Sequence, residues 1–371
     1  MKTGIFSFFS GSGLLDLGFE LNGFNIVYVN EIFTPFLQAY RYSRQQLQLN
    51  LPEYGYHDGE LADVQQLLHL ESSLKLQDLL KDARKNYNLI GFIAGPSCPD
   101  FSIGGKNRGE SGENGKLSLA YVELICQQKP DFFLFENVKG LWKTQKHKIF
   151  YHKLKDKLQQ AGYILFERLI NAIEYGAPQD RDRIILIGIN YPVIKSLPID
   201  NYHQLPWQKY LIGNKSDIFS YNWPKIDPFR ENSIYPCPDN ILQELTVEYW
   251  WQKNDVNNHP NAEKYFQPKA GIKKMIAVAE GDDYHKSYKR LHRWRYSPTA
   301  CYGNNEVHLH PYKIRRISVA EALAIQSLPV NFVLPDNMTL TNMFKTIGNG
   351  VPYLAAKGIA LTIKDFLVKI N

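Results

Sequence analysis

The chain predicts an α/β fold, a mostly parallel sheet covered by helices on both faces, joined to a smaller irregular domain. Three observations carry this. Short, nearly uniform apolar runs alternate with longer helix-periodic segments through the first half of the chain. That alternation breaks down between about Tyr191 and His310, a stretch rich in Pro, Asn, Tyr and Trp and too long for a loop. A helical pattern then returns and runs to the end.

The runs Ile5–Phe9, Ile26–Val29, Leu89–Ala94, Phe132–Phe135 and Ile184–Ile189 read as strands buried on both faces, each stopped by Gly, Asn or an acid. Leu14–Leu21, Pro35–Leu47, Val64–Leu80, Leu117–Gln128 and Lys146–Ala161 read as the intervening helices. Ser318 with Glu321 three residues on is a capping-box spacing that opens a helix over Ser318–Ser327. A last helix, Val351–Lys369, follows Gly348-Asn349-Gly350. These patterns divide the chain into a domain at 1–191, completed by 344–371, and a second domain with a returning helix at 192–343. Gly104–Gly115, with five glycines in twelve residues, predicts a flexible loop.

Composition excludes several classes. With 371 residues, 13% aromatic and a net charge of +6, the chain is globular rather than disordered. No uncharged apolar run approaches the ~20 residues a membrane span needs. The four cysteines form no CxxC pair, against a disulfide scaffold or a structural zinc site. Met1–Phe9 only briefly imitates a signal peptide before Asp16 and Glu20 intervene, so a reduced, cytoplasmic protein is expected. Between Tyr284 and Arg316 eight Lys and Arg face one acid, Glu306, while the remainder of the chain is near balance. Interleaved with six Tyr and Trp, that stretch is either a phosphate-contact surface or a solvated basic face.

Chemistry collects at strand ends. Phe9-Ser10-Gly11-Ser12-Gly13-Leu14-Leu15-Asp16 gives a tight strand-to-helix turn, but Asp16 stands where G-x-G-x-x-G needs its third glycine. Glu31, ending the next run, suits a ribose diol. A nucleoside-bearing cofactor without a pyrophosphate fits both; so does a plain turn. Cys98, between Pro96-Ser97 and Pro99, precedes the Gly-rich loop and reads as a placed nucleophile or a small packed residue. Glu136 follows Phe132–Phe135 directly, where apolar walls raise a carboxyl pKa. In an extended segment Gln179, Arg181 and Arg183 share a face, poised for a ligand or for surface pairs with the neighbouring aspartates.

In this order the motifs resemble the cytosine-5 DNA methyltransferases. The matching stretches are Phe9–Glu20, Gly95–Ser102, Glu136-Asn137-Val138, Gln179–Arg183, Arg316–Pro329 and Gly348–Pro352, so the likeness covers nearly all of the chain outside about Tyr191–Ser287. It implies a Rossmann-like methyltransferase domain, a variable target-recognition domain, S-adenosylmethionine as cofactor and double-stranded DNA as partner. It implies no metal and a bacterial restriction-modification setting. It places Phe9 on the adenine, with Ser10, Gly11, Ser12, Gly13 and Leu14 around the methionine part. Glu31 and Ile32 fall at the ribose, Glu60 at the adenine amino group, Leu117 on an apolar wall, and Asn349 and Val351 in the closing motif. Cys98 falls at the nucleophile and Glu136 at the acid for ring nitrogen 3, with Arg181 and Arg183 beside them. Ser97, Ser102, Gln179 and Thr299 fall at the DNA, joined by Lys289, Arg290, Arg293 and Arg295 of the basic stretch.

The chain departs from the family at three points. The usual Pro-Cys-Gln is Ser97-Cys98-Pro99 here, and the usual Asp is Glu60. Two alternatives stand beside the DNA enzyme. One is a tRNA cytosine-5 methyltransferase of the same fold, against which the long basic insert argues. The other is a catalytically silent DNA-binding protein, against which the complete Cys98, Glu136 and Gln179/Arg181/Arg183 set argues.

Overall fold

The computed structural model describes residues 1–96, 113–194, 204–268, 271–285, 287–302 and 307–370. Its sheet has seven strands: β1 (Thr3–Phe8), β2 (Asn25–Asn30), β3 (Tyr56–His57), β4 (Leu89–Ala94), β5 (Phe132–Val138), β6 (Tyr163–Asn171) and β7 (Asp182–Asn190), in the order β3-β2-β1-β4-β5-β7-β6. Only β7 is reversed, pairing antiparallel with both β5 and β6. All six residues of β1 and of β4 are buried, as continuous apolar runs in a doubly covered sheet require.

On one face lie α1 (Leu14–Glu20), α2 (Thr34–Gln46) and, at the chain end, α13 (Tyr353–Ile370). Their Leu15, Phe19, Leu37, Ile359 and Ile363 pack on Ile5, Ile93 and Leu134. On the other face α3 (Leu70–Asn86), α4 (Glu113–Gln128) and α6 (Gln145–Gln160) bring Leu76, Leu80, Leu124, Leu154 and Leu158 onto Phe6, Phe92 and Phe133. Between β5 and α6 sits one short helix, α5 (Lys139–Lys143). The sequence pattern missed β3, which has two residues, and β6, an edge strand of uneven burial. Glu167 and Arg168 interrupt its apolar run. The expected helix at Val64–Leu80 is broken at His69, whose extended backbone starts α3 one residue later.

From residue 204 to 316 regular structure is sparse: α7 (Tyr191–Ile194) leads in, and α8 (Lys215–Phe219), α9 (Val247–Lys253) and α10 (Ile272–Ala277) are short. This segment nevertheless shares a core with the rest. Trp250, Trp251, Leu291 and Ile317 pack with α11 (Val319–Ile325), α12 (Leu340–Asn349) and Leu14 and Leu17 of α1. The capping box is present: Glu321 N–H donates to Ser318 Oγ at 3.2 Å and Ser318 N–H to Glu321 Oε2 at 2.7 Å.

Two histidines of this core, His308 and His310, are buried, and burial pushes their pKa values down to about 3 and about 4. Each favours the neutral ring in the fold. The stability each contributes is therefore complete above the unfolded value of ~6.5 and is lost as pH falls from there toward the folded value. Asp16, pushed up to about 6 by burial, acts in the opposite sense over part of that range. The His308→Gln variant isolates one ring. Between pH 6 and 5 its unfolding free energy should fall by ~1.2 kcal/mol less per pH unit than wild type in urea titrations, and equal slopes would remove His308 from the pH dependence.

Candidate active site

The carboxyl ends of β1, β2, β4 and β5 meet on one edge of the sheet, where ligands bind in open α/β folds. After β1 the backbone turns through Phe9, Gly11 and Gly13, all at positive φ (50°, 58° and 79°). Gly13 is required twice, since a Cβ there would also lie 2.5 Å from the Tyr40 ring. Glu31, buried at the end of β2, uses both carboxylate oxygens, accepting from Gly11 N–H and Phe33 N–H at 2.8 Å each. Burial raises its pKa and these two donors oppose the rise. Each oxygen keeps a second lone pair for a diol. Thr346 of α12 donates to Ser12 Oγ at 2.8 Å, and Gly350 packs on Leu14, so the closing motif is seated on this turn. Val351 is buried there and Asn349 exposed.

This edge fits S-adenosylmethionine. A Cβ built on Gly11 would meet only Thr346 Oγ1, at 3.9 Å, so backbone faces open space where a ligand can approach closely. The buried Asp16 carboxyl in the first turn of α1 disfavours a pyrophosphate there. Phe9, half-buried and edge-on to Tyr121 at 6.4 Å, offers a ring face for a base, with Leu117 half-buried on α4. Ile32 is exposed beside Glu31. Glu60 lies in the turn Gly59–Ala62, just beyond β3, whose His57 carbonyl accepts from Glu31 N–H at 3.1 Å.

A second cluster forms around the end of β5. Glu136 is buried, its Oε1 2.8 Å from Arg183 Nε on β7. Burial pushes its carboxyl above the ordinary range, while Arg183 and Arg181 pull it back. Gly95, at the end of β4, lies against it: a Cβ there would stand 2.8 Å from Glu136 Oε2. Arg181 is buried and donates to the carbonyls of Gly348 at 2.7 Å and Ala300 at 3.2 Å. Its Nε has no hydrogen-bond partner among the described residues. Burial and the adjacent Arg183 push its guanidinium pKa down, but it stays cationic at neutral pH.

Gln179, fully buried, accepts from Ala300 N–H at 3.1 Å and donates to Gln326 at 3.3 Å. Thr299 donates to the Asp180 carbonyl at 2.6 Å. Both tie the segment that leads into β7 to residues 297–300 of the irregular segment. Cys98, Ser97 and Ser102 lie outside the described residues.

The basic stretch divides. Arg290 is buried and donates to the carbonyls of Val278 (2.8 Å), Met275 and His310. Arg293, also buried, grips both Glu280 oxygens at 2.8 Å. Arg295 is half-buried and donates to Lys225 and Gly281 carbonyls at 3.0 and 2.9 Å and to Asp283 at 3.1 Å. These three guanidiniums are occupied by groups of the irregular segment itself; of the four basic-stretch residues expected at DNA only Lys289, half-buried, has no such internal partner among the described residues.

A family profile for C-5 cytosine-specific DNA methylases matches residues 3–365. The chain belongs to this family. It is 56% identical to the type II methyltransferase M.NmeDI of Neisseria meningitidis serogroup C, over 99% of this chain and 84% of that one. It is 28% identical to the type II methyltransferase M.FnuDI of Fusobacterium nucleatum, over 97% and 95%. A putative DNA modification methyltransferase encoded within an E. coli prophage superposes with a TM-score of 0.65 at 21% identity, over 99% of this chain and all of that one. This DNA cytosine-5 methyltransferase thus has the sheet expected of a methyltransferase. Among the described residues no helix is long and apolar enough to cross a membrane, and no group of three or more His, Cys, Asp or Glu is placed to hold a metal.

In this methyltransferase Gly95→Ala should displace the Glu136 carboxyl, because the added methyl meets Oε2 inside van der Waals range. Methyl transfer is expected to drop at least tenfold with S-adenosylmethionine affinity preserved; wild-type turnover would show that Glu136 can shift without consequence.

Proposed function

We propose that this methyltransferase flips a cytosine out of a specific duplex sequence and methylates its carbon 5 through a covalent bond to Cys98. The single observation that supports the reading best is the buried Glu136–Arg183 pair at the end of β5, with Gly95 close against it. It places a carboxyl of raised pKa beside the strand end that leads to Cys98.

The chemistry asks for this arrangement. Carbon 5 of cytosine is a poor nucleophile while the ring is aromatic. The Cys98 thiolate adds to carbon 6, and Glu136, in its protonated form, gives its proton to nitrogen 3 to take up the charge pushed into the ring. Carbon 5 is then enamine-like. Phe9, the Ser10–Leu14 turn and Glu31 would hold S-adenosylmethionine, whose sulfonium would supply an electrophilic methyl and depart as the neutral thioether S-adenosylhomocysteine. Water takes the carbon-5 proton, the C5–H electron pair re-forms the C5=C6 bond as Cys98 leaves as thiolate, and nitrogen 3 returns its proton to Glu136. Arg181 and Arg183 favour the thiolate over the thiol, whose pKa is ordinarily ~8.5. Unstacking the base costs a few kcal/mol, which the protein must return through its contacts to the opened duplex. One extruded base at a time needs only a monomer. The likeness to M.NmeDI supports a role in protecting DNA from a paired restriction endonuclease.

Radiolabelled S-adenosylmethionine offered with duplex DNA and with tRNA tests the substrate. Label at carbon 5 of cytosine in DNA is expected, and label in tRNA alone would overturn the proposal. Cys98→Ala should abolish transfer while leaving cofactor binding within about threefold; turnover within tenfold of wild type would remove the thiol from the mechanism. Glu136→Gln keeps the shape but has no proton to give, so it should lower kcat 10²–10⁴-fold, the span of a general acid. A change confined to DNA affinity would make Glu136 a positioning residue instead.

A further inference from the structure

The positive charge available to DNA has to be located again, since Arg290, Arg293 and Arg295 are occupied internally. Between Lys139 and Lys157 the chain carries seven lysines against one acid, Asp156, a denser run than the one between Tyr284 and Arg316. It forms α5 and most of α6. Helix α5 follows directly on Val138, which pairs with Arg183 across β5 and β7, so it starts at the rim of the active site. Helix α6 starts at the same rim. It descends to Gln160, from which the chain enters β6 at the opposite edge of the sheet.

The lysines on this path are not equivalent. Those low on α6 are neutralised: Lys155 pairs with Glu167 at 3.1 Å and Lys157 with Glu123 at 2.8 Å. Lys139 is held by Asp182 at 2.6 Å. Lys143 at the end of α5 and Lys148 in the first turn of α6 are exposed, and neither has an ion pair among the described residues. His152, one turn beyond Lys148, is exposed on the same face, and Ile149 beside it is 62% exposed. Lys139 at the rim is neutralised by its own strand-end partner Asp182, but Lys143 and Lys148 beside it are not, whereas Lys155 and Lys157 away from the rim are both compensated. A solvated charged face serving only solubility has no reason for that gradient.

We propose that Lys143 and Lys148 form a second DNA-contact surface, gripping backbone phosphates of the duplex flanking the target base, on the catalytic-domain side of the site. The inference rests on the reading that the site acts on duplex DNA. Charge complementarity selects the occupant. A duplex carries a phosphate charge every ~1.7 Å along its axis, and flexible lysines contact phosphates without needing sequence.

The test compares wild type with Lys143→Ala/Lys148→Ala and, as a control on the same helix, Lys155→Ala/Lys157→Ala. The slope of log K against log salt is measured on duplex DNA, alongside S-adenosylmethionine affinity and kcat at saturating DNA. The rim pair should flatten the slope by about 1.8, or ~0.9 per lost phosphate contact, leaving cofactor affinity and kcat within about twofold of wild type. The control pair should leave the slope unchanged. An unaltered slope in the rim variant, or a loss seen with tRNA but not with duplex DNA, overturns the inference while wild-type DNA methylation upholds the reading beneath it. If wild type methylates no DNA, both fall.

Discussion

The site depends on one buried cation. Arg181 sits just ahead of β7 and donates to the carbonyls of Gly348, in α12, and Ala300, in the irregular segment. Two segments distant in sequence are thereby fixed to one guanidinium. Arginine suits the position because its planar fork can serve several carbonyls at once, which a lysine cannot do in fixed directions. A cation buried this way is strongly held in place, since removing its partners would leave an uncompensated charge in a dry interior. Its remaining Nε–H is what the scaffold does not consume.

That anchoring explains how two half-sites from different parts of the one sheet keep register. The cofactor edge is built by β1 and β2, the carboxyl–guanidinium pair by β5 and β7. Thr346 bonds to Ser12 in the first, and Gly348, two residues later, accepts from Arg181 in the second. Helix α12 therefore clamps both with a single turn of chain. The reversal of β7 matters as well. It brings Arg183 opposite Val138, so that its guanidinium reaches back to Glu136 on the neighbouring strand. A parallel strand would have delivered its start to the far edge of the sheet.

Much of the fold and the site was legible in the sequence because the relevant signals are local. A continuous apolar run is a doubly covered strand, and Gly11 and Gly13 are written by their positive φ. Ser318 and Glu321 announce their own capping box. The parts that were not legible depend on distant partners. Edge strand β6 mixes Glu167 and Arg168 with apolar residues because only part of it is covered, so no single period describes it. Gln179 reads as a ligand- or DNA-facing residue beside Arg181 and Arg183; in the structure Gln326 and Ala300, more than a hundred residues away, make it a fully buried joint. Asp16 reads as a spoiled glycine pattern; in the structure it is buried under the turn, where Tyr40 donates to it at 3.0 Å.

The basic stretch carries the more general lesson. A domain with few helices and almost no strand ladders leaves many backbone carbonyls without N–H partners, and buried carbonyls need donors. Arginine brings five N–H groups on one planar head, so an irregular domain recruits it as a structural staple. Arg290 is that case, serving the carbonyls of Val278, Met275 and His310 with its ring neighbour Phe229 beneath it. Lysine makes a poorer staple and stays outside. In a chain of this kind the count of Arg plus Lys conflates two physically different populations. A guanidinium among turns points to the domain's own backbone, while an unpaired ammonium at the rim of the site remains free to meet an external anion.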